Sequence, residues 1–322
     1  MIYTIFHETI FHYQGTVTFS HNIARLKPKE GVEQSLLDFR LDVEPNASEI
    51  HVFEDMFGNS NHHLLLREPH TELKVTGRSK VRRNIDQIAA AVAHLRSTPM
   101  DYAEALQRLS GFHPKDIAAK QFLFESELIP VGIDPIRDYA LESFRPKRTL
   151  FEAGEELMGR IFDDFEFESG FSDITTPVEI IFEEKKGVCQ DFAHFALSAL
   201  RSIGLPARYV SGYIETIPPE GEEKLFGADA SHAWVSLYIP GAGWLDLDPT
   251  NNVIPIEQHI VLGHGRDYHD ISPLKGVVRS SGSSHLSVMV DVRRSAEIET
   301  PVQQRQLQFF DEELKQQQNQ NQ

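Results

Sequence analysis

The 322-residue sequence lacks a second cysteine, because Cys189 is its only one. A chain with one thiol cannot form an internal disulfide, which favours a reducing compartment such as the cytoplasm. Long apolar runs are also missing, since no stretch approaches the roughly 20 residues that span a bilayer. The first residues, MIYTIFHETIFHYQG, have no basic lead of the kind that begins a signal peptide. We therefore predict a cytoplasmic protein with no membrane partner.

Basic residues are scarce: Lys and Arg number 31 against 48 Asp and Glu, which gives a formal net charge of −17. A field of that sign repels phosphate and argues against nucleic acid as a partner. Neither a Gly-x-Gly-x-x-Gly motif nor a P-loop is present, so no nucleotide is predicted. Although there are 15 histidines, no Cys-x-x-Cys or His-x-x-x-His spacing occurs. We expect no organic cofactor and no metal ion.

The composition is that of a globular protein, 40% hydrophobic and 25% charged, and long enough for about two domains. Residues 1–80 alternate apolar and polar side chains between turn signals, which predicts a small N-terminal antiparallel β-domain. Residues 81–148 predict a helical connecting segment divided by prolines. Residues 149–300 predict a core with C-terminal strands, and the Gln-rich residues 301–322 predict a disordered tail. The predicted fold class is α+β.

The clearest helix pattern lies between Gly187 and Gly204, where apolar residues recur at helical spacing. Gly204 is at the usual C-terminal position of such a helix, and Pro206 prevents its extension. An acidic loop rich in Gly and Pro covers residues 216–229, and we predict that it gates substrate access. Strands are predicted on both sides of this loop, at Ala207–Glu215, His232–Ile239, Trp244–Asp248, 258–263 and 285–293.

Cys189 lies in the first turn of this predicted helix. Unpaired backbone N–H groups and the helix dipole favour negative charge there, and so favour a thiolate over a thiol. The backbone amide of Cys189 points toward whatever the sulfur attacks, which makes it a natural oxyanion donor. Such a nucleophile requires a proton-transfer partner and a group that orients this partner.

The partner and its orienting group are predicted on the strands that follow. His232 begins one strand, and Asp246 and Asp248 share one face of the next, since side chains alternate along a strand. The short connection through Gly241 and Gly243 predicts an antiparallel pair, which brings a carboxylate beside the imidazole. Spacing alone does not choose between Asp246 and Asp248.

Four linked segments closely resemble the transglutaminase-like superfamily: GVCQDFAH (187–194), GLPARYVSGY (204–213), SHAWV (231–235) and GWLDLDPTN (243–251). The best match is the bacterial branch of that superfamily, in which a small β-domain precedes the core. GRDYHDISP (265–273) is similar to the segment that follows the core in these proteins, so the resemblance extends to about residue 295. It implies a papain-like fold, in which a helix that carries Cys packs on an antiparallel sheet that carries His and Asp.

The resemblance implies a role for each candidate residue. Cys189 is then the nucleophile, His232 the general base and acid, and Asp248 the orienting carboxylate. The implied reaction is acyl transfer at an amide bond of a peptide or protein, through an acyl-thioester. Release to water is the reaction of a cysteine peptidase or amidase, and release to an amine is that of a transglutaminase.

The upstream sequence departs from this family pattern. The related enzymes use an upstream Trp or Gln as the second oxyanion donor, and residues 140–188 contain neither. The second donor is therefore unassigned, and this disfavours transglutamination more than thiol catalysis in general. The alternative function is that of a catalytically inactive binding or scaffold protein that keeps the fold.

Overall fold

The computed structural model describes residues 1–217, 224–227, 229–279 and 282–295. The strands within these ranges are β1 (Ile2–Val17), β2 (Ser20–Ala24), β3 (Gln34–Glu44), β4 (Glu49–Glu54), β5 (Ser60–Leu66), β6 (His70–Arg83), β7 (Glu166–Phe167), β8 (Lys186–Gly187), β9 (Ala207–Ile214), β10 (Ser231–Ile239), β11 (Gly243–Leu247), β12 (His259–Gly265), β13 (Leu274–Val278) and β14 (Ser284–Ser295). The helices are α1 (Ile85–Ser97), α2 (Tyr102–Ser110), α3 (Pro114–Ile117), α4 (Asp134–Leu141), α5 (Leu150–Asp164), α6 (Val178–Glu184), α7 (Cys189–Ser202) and α8 (Tyr268–Ile271), with a 3-10 helix at Ala118–Leu123.

Two predicted features fall partly or wholly outside the described residues. The Gln-rich tail at 301–322 is one of them. The other is the gating loop at 216–229, of which residues 218–223 and 228 are not described. Both therefore stay predictions.

The N-terminal strands form two four-stranded antiparallel sheets, in the orders β14-β1-β6-β3 and β13-β2-β5-β4. Each sheet is completed by a strand from the C-terminal part of the chain. Ile2 lies opposite Ser295 in the first sheet, and Ala24 lies opposite Leu274 in the second. The pairing shows that strands near both ends of the described chain share the same sheets. The domain boundaries stay a prediction.

The strands predicted for the core form a third antiparallel sheet, in the order β11-β10-β9-β12. β10 and β11 pair from Ile239 opposite Gly243 to Val235 opposite Leu247, which confirms the antiparallel hairpin. The turn includes Gly241 at φ +80°, in the left-handed region that glycine enters without strain. This hairpin returns the end of β11 to the side of β10.

Helix α7 packs on one face of this sheet and forms the main hydrophobic core with it. The helix ends as the sequence predicts, because Gly204 follows it at φ +81°. Phe195 of α7 and Val235 of β10 are among the fully buried residues of the interface. Helix α5 approaches the same sheet closely at Gly154, where an added Cβ would lie 3.1 Å from Leu247.

The arrangement confirms the predicted α+β fold class, with N-terminal antiparallel sheets and a helix-on-sheet core. Within the described ranges, none of the helices combines the length and the apolar character that crossing a bilayer requires.

Candidate active site

Cys189 is the first residue of α7 and is partly exposed. The start of the helix is fixed by Asp191, whose carboxylate accepts the Val188 N–H at 2.8 Å and the hydroxyl of Ser172. Gly187 allows this contact, because a Cβ at that position would lie 2.8 Å from the Asp191 side chain. Burial raises the pKa of Asp191 and outweighs the opposing effect of these hydrogen bonds.

His232 and Asp248 are both buried and lie in direct contact. His232 Nε2 is 2.7 Å from Asp248 Oδ2. Asp248 immediately follows β11, and its Oδ1 accepts the backbone N–H groups of Thr250 (3.0 Å) and Asn251 (3.3 Å). The Asp248 carboxylate thus bonds the backbone two and three residues further on, which is a turn that aspartate favours.

Strand spacing does not distinguish Asp246 from Asp248, but their contacts in the structure do. Asp248 contacts His232, whereas Asp246 Oδ2 accepts the indole N–H of Trp234 at 3.1 Å. Trp234 is fully buried, and its ring lies 5.9 Å from the ring of His232. Asp246 therefore holds the tryptophan beside the histidine and does not touch the imidazole.

The charge state of His232 is set by its two neighbours. Burial by itself would lower the pKa of His232, but hydrogen bonds with Asp248 and Cys189, together with their charges, raise it to about 10. The pKa of Asp248 is lowered although burial opposes this, because His232 and His259 donate to it. Since Nε2 of His232 is committed to Asp248, Nδ1 is left for the Cys189 sulfur. The buried carboxylate therefore favours the protonated imidazolium form of His232.

Sequence reasoning missed two further residues of this site, His259 and Asn251. His259 Nε2 lies 2.8 Å from Asp248 Oδ2, and Asn251 Nδ2 donates to the same oxygen at 2.7 Å. Burial lowers the pKa of His259, so it is neutral and donates its Nε2–H. Asn251 belongs to the quoted DPTN segment, which could have drawn attention to it. His259 carries no comparable local signal.

His232, Asp248 and His259 also form a possible metal-binding group, since one ligand atom from each lies within 4.8 Å of the others. Two imidazoles and a carboxylate are suitable ligands for Zn²⁺. In the structure both rings hydrogen-bond to the carboxylate, so these three atoms satisfy one another. The expectation of no metal ion stays a prediction.

Two family models match the chain. Residues 3–82 match the bacterial transglutaminase-like N-terminal region, and residues 137–249 match the transglutaminase-like superfamily. The second range includes Cys189, His232 and Asp248. The family resemblance found in the sequence is confirmed.

Two relatives align over nearly the full chain, and a third aligns over a quarter of it. An uncharacterized protein of Mycobacterium tuberculosis is 37% identical over 296 residues, which cover 90% of this chain and 92% of the relative. An uncharacterized protein of Mycobacterium leprae is 30% identical over 302 residues, or 91% and 98% of the two chains. A protein-glutamine gamma-glutamyltransferase of Pseudomonas aeruginosa is 39% identical over 83 residues, which are 25% of this chain and 12% of that protein.

A solved structure confirms the fold. It is that of a proposed cysteine protease from Cytophaga hutchinsonii, which superposes with a TM-score of 0.70 at 21% identity and covers 94% of this chain and 93% of its own. At this identity the likeness supports the papain-like fold of the core and no particular reaction.

Proposed function

Because the chain belongs to the transglutaminase-like superfamily, we propose that it catalyses thiol-dependent acyl transfer at an amide bond of a peptide or protein. Cys189 is the nucleophile, His232 the general base and acid, and Asp248 the carboxylate that orients His232. One observation carries this proposal: buried His232 lies 2.7 Å from the buried Asp248 carboxylate, and both this carboxylate and Cys189 at the start of α7 raise the pKa of His232.

The first half-reaction forms an acyl-enzyme. With the proton of the Cys189 thiol carried by His232, the sulfur attacks the amide carbonyl carbon to give a tetrahedral intermediate. The backbone N–H of Cys189, at the start of α7, stabilises the negative oxygen. The C–N bond then breaks, and His232 protonates the departing amine. Asp248 stabilises the imidazolium throughout and keeps its ring in place.

The second half-reaction resolves the thioester. His232 removes a proton from water, the oxygen attacks the thioester carbon, and the carboxylic acid leaves as the sulfur is regenerated. An amine in place of water would give a new amide, which is the transglutaminase outcome. The lack of Trp and Gln in residues 140–188 supports water as the acceptor. The proposed activity is therefore that of a cysteine peptidase or amidase.

The test is capture of the acyl-enzyme on the single cysteine. The full chain is mixed with a peptide library, quenched in acid and weighed intact, with and without hydroxylamine, which cleaves thioesters. We expect an acyl adduct on the wild type that hydroxylamine removes, that is absent from Cys189→Ala and that is strongly reduced in His232→Ala. Hydrolysed peptides accumulate in parallel.

Other outcomes contradict the proposal. Equal peptide turnover by wild type and Cys189→Ala excludes the thiol mechanism. Peptides that bind both proteins equally, without adduct or turnover, identify the inactive binding protein instead. Incorporation of an added primary amine faster than hydrolysis identifies a transglutaminase and overturns the choice of water.

A further inference from the structure

Three histidines lie on one face of the second sheet, on the neighbouring strands β2, β5 and β4. They are His21, His63 and His51. Ala24 of β2 and Leu64 of β5 belong to the core between the two N-terminal sheets. Alternation along each strand places His21 and His63 on the other, outer face. His51 is directly opposite His63 in the ladder and therefore shares this outer face.

The outer face is open to solvent around these histidines. His51 is exposed, and His21 and His63 are half-buried. Val277, which lies opposite His21 on the next strand β13, is 77% exposed. An ion in solution therefore has access to the imidazole rings.

His21 and His63 present ring nitrogens to each other, with His21 Nδ1 only 2.9 Å from His63 Nε2. A hydrogen bond between two imidazoles needs one bare nitrogen, so a single proton lies between the two facing nitrogens. The histidine–carboxylate pairs of the described residues all lie elsewhere, as His12 with Glu72 does. The three histidines thus form a cluster of neutral nitrogen ligands without an acidic partner.

The distance between the facing nitrogens is close to that between two ligands of one zinc ion. Zinc–imidazole bonds are about 2.0–2.1 Å long, and tetrahedral angles then put two ligand nitrogens roughly 3.3 Å apart. The 2.9 Å contact has to widen by only about 0.4 Å while the rings tilt toward the ion. The proton between the rings moves to the far nitrogen of its own imidazole, which frees both facing lone pairs for the metal.

His51 is positioned to supply a third imidazole. Residues directly opposite each other on neighbouring strands have Cβ atoms about 4.5–5.5 Å apart, a distance that a histidine side chain spans. In the structure the ring of His51 lies 6.1 Å from that of Phe53 on its own strand. Because His51 is exposed, it reaches His63 by changing rotamer without emptying any part of the core.

We propose that His21, His63 and His51 bind one Zn²⁺ ion, with water as the fourth ligand. Imidazole is a preferred ligand of zinc, and three protein ligands with water in the fourth position make a tetrahedral site. The formal net charge of −17 attracts a divalent cation to the chain. The ion joins three strands and holds β4, an edge strand whose six residues are all exposed, onto the sheet.

This proposal departs from the sequence-based expectation of no metal ion. That expectation depends on motif spacing, whereas positions 21, 51 and 63 come together only through strand pairing. The site is on the N-terminal sheets, away from His232 and Asp248, so the inference stands or fails separately from the proposed reaction.

The test is calorimetric titration of the full-length Cys189→Ala chain with Zn²⁺ at pH 7, since this background removes zinc binding by the thiol. The unfolding temperature is recorded in parallel. We expect saturable binding and an unfolding temperature that rises with Zn²⁺. Adding His63→Gln should weaken the binding about tenfold or more, because even the loss of a hydrogen-bond partner of a metal ligand costs 10–100-fold. His94→Gln, at an exposed histidine of α1, is the matched control and should bind as its parent does.

Three results overturn the proposal. One is a parent chain that shows neither saturable binding heat nor a shift in unfolding temperature. Another is a His63→Gln variant that binds Zn²⁺ as tightly as its parent while folded by circular dichroism. If that variant does not fold, His21→Gln replaces it with the same expectation. The third is Mg²⁺ binding as tightly as Zn²⁺, which indicates oxygen ligands and not imidazoles.

Discussion

Asp248 is the side chain that connects the other polar side chains of the candidate site. Its Oδ2 accepts from His232, His259 and Asn251, and its Oδ1 accepts two backbone N–H groups. A fully buried carboxylate with so many donors stays ionised and does not rotate. It therefore fixes both the charge and the ring plane of His232.

The raised pKa of His232 makes stability depend on pH. Its pKa is 6.5 in an ordinary setting and about 10 in the folded protein. The protonated ring thus stabilises the fold fully below pH 6.5, and this contribution is lost as the pH rises to about 10. In Asp248→Asn the partner charge is absent and burial lowers the pKa of His232. We expect urea unfolding to show that the wild type loses several kcal/mol relative to Asp248→Asn between these pH values, at about 1.4 kcal/mol per pKa unit.

Asp116→Asn is the matched control for this measurement. Asp116 is as completely buried as Asp248 but pairs with Arg108 and Tyr238, away from His232. Its loss lowers the free energy of unfolding and leaves the slope between pH 6.5 and about 9 as in the wild type, because its neighbour Tyr238 titrates only at higher pH. A profile of Asp248→Asn that runs parallel to that of the wild type would refute the coupling.

His259 is predicted to act on the reaction through Asp248. His259→Phe removes one N–H donor from Oδ2, which raises the pKa of Asp248 and weakens its hold on His232. We expect kcat to fall about tenfold and the acid limb of kcat/KM for peptide hydrolysis to move to higher pH. His259→Gln keeps an N–H donor and should recover most of both. Equal profiles for the two variants would mean that His259 only fills space.

Cys189, His232 and Asp248 could be predicted from the sequence because each has a local signal. One lies at a helix start, one at a strand start and one in a turn, and the family motifs contain all three. His259 lies 11 residues beyond Asp248 in sequence and begins β12, two strands away from β10. Its contact depends on which strands are neighbours, and hydrophobic periodicity does not report that.

The start of α7 is the secondary-structure feature that positions the sulfur. In Gly187→Ala the new Cβ would meet the Asp191 side chain at 2.8 Å and displace the group that caps the helix. We expect iodoacetamide alkylation of Cys189 at pH 7, followed by intact mass, to slow several-fold. Gly204→Ala at the opposite end of α7 places Ala at φ +81° and costs about 1 kcal/mol of stability. If that control slows alkylation equally, the effect is on global stability and not on the helix start.

Helix α7 and strands β9 to β11 were predicted nearly to their ends because glycine and proline mark them. Strand β13 was not predicted. It has five residues, is mostly exposed and contains Gly276, and glycine inside a strand argues against a strand prediction. The structure gives the reason for that glycine, since a Cβ there would lie 2.0 Å from Asn22 Oδ1 on the paired strand β2. Pairing between such distant segments leaves no local pattern.

The complete fold depends on strand β14, which closes the first sheet beside β1. Val292 of β14 is fully buried, and it packs with Tyr3 of β1 and with Tyr213 and Ile260 of the third sheet. We expect Val292→Ala to lower the free energy of unfolding by roughly 2 kcal/mol, measured with urea. Val288→Ala on the same strand is 48% exposed and should change it by less than about 0.5 kcal/mol. Similar losses in both variants would show that β14 does not brace the third sheet.

The pairing of β1 with β14 also sets the order of events during translation. β1 leaves the ribosome long before β14, because the two strands lie at positions 2–17 and 284–295 of the sequence. Until then one edge of β1 offers unpaired N–H and C=O groups to any other nascent strand. By residue 259, Cys189, His232, Asp248 and His259 have all been synthesised, yet the sheets that brace them still lack two strands. An unfinished chain thus contains the candidate catalytic residues before its sheets are complete. It needs protection from aggregation during that interval.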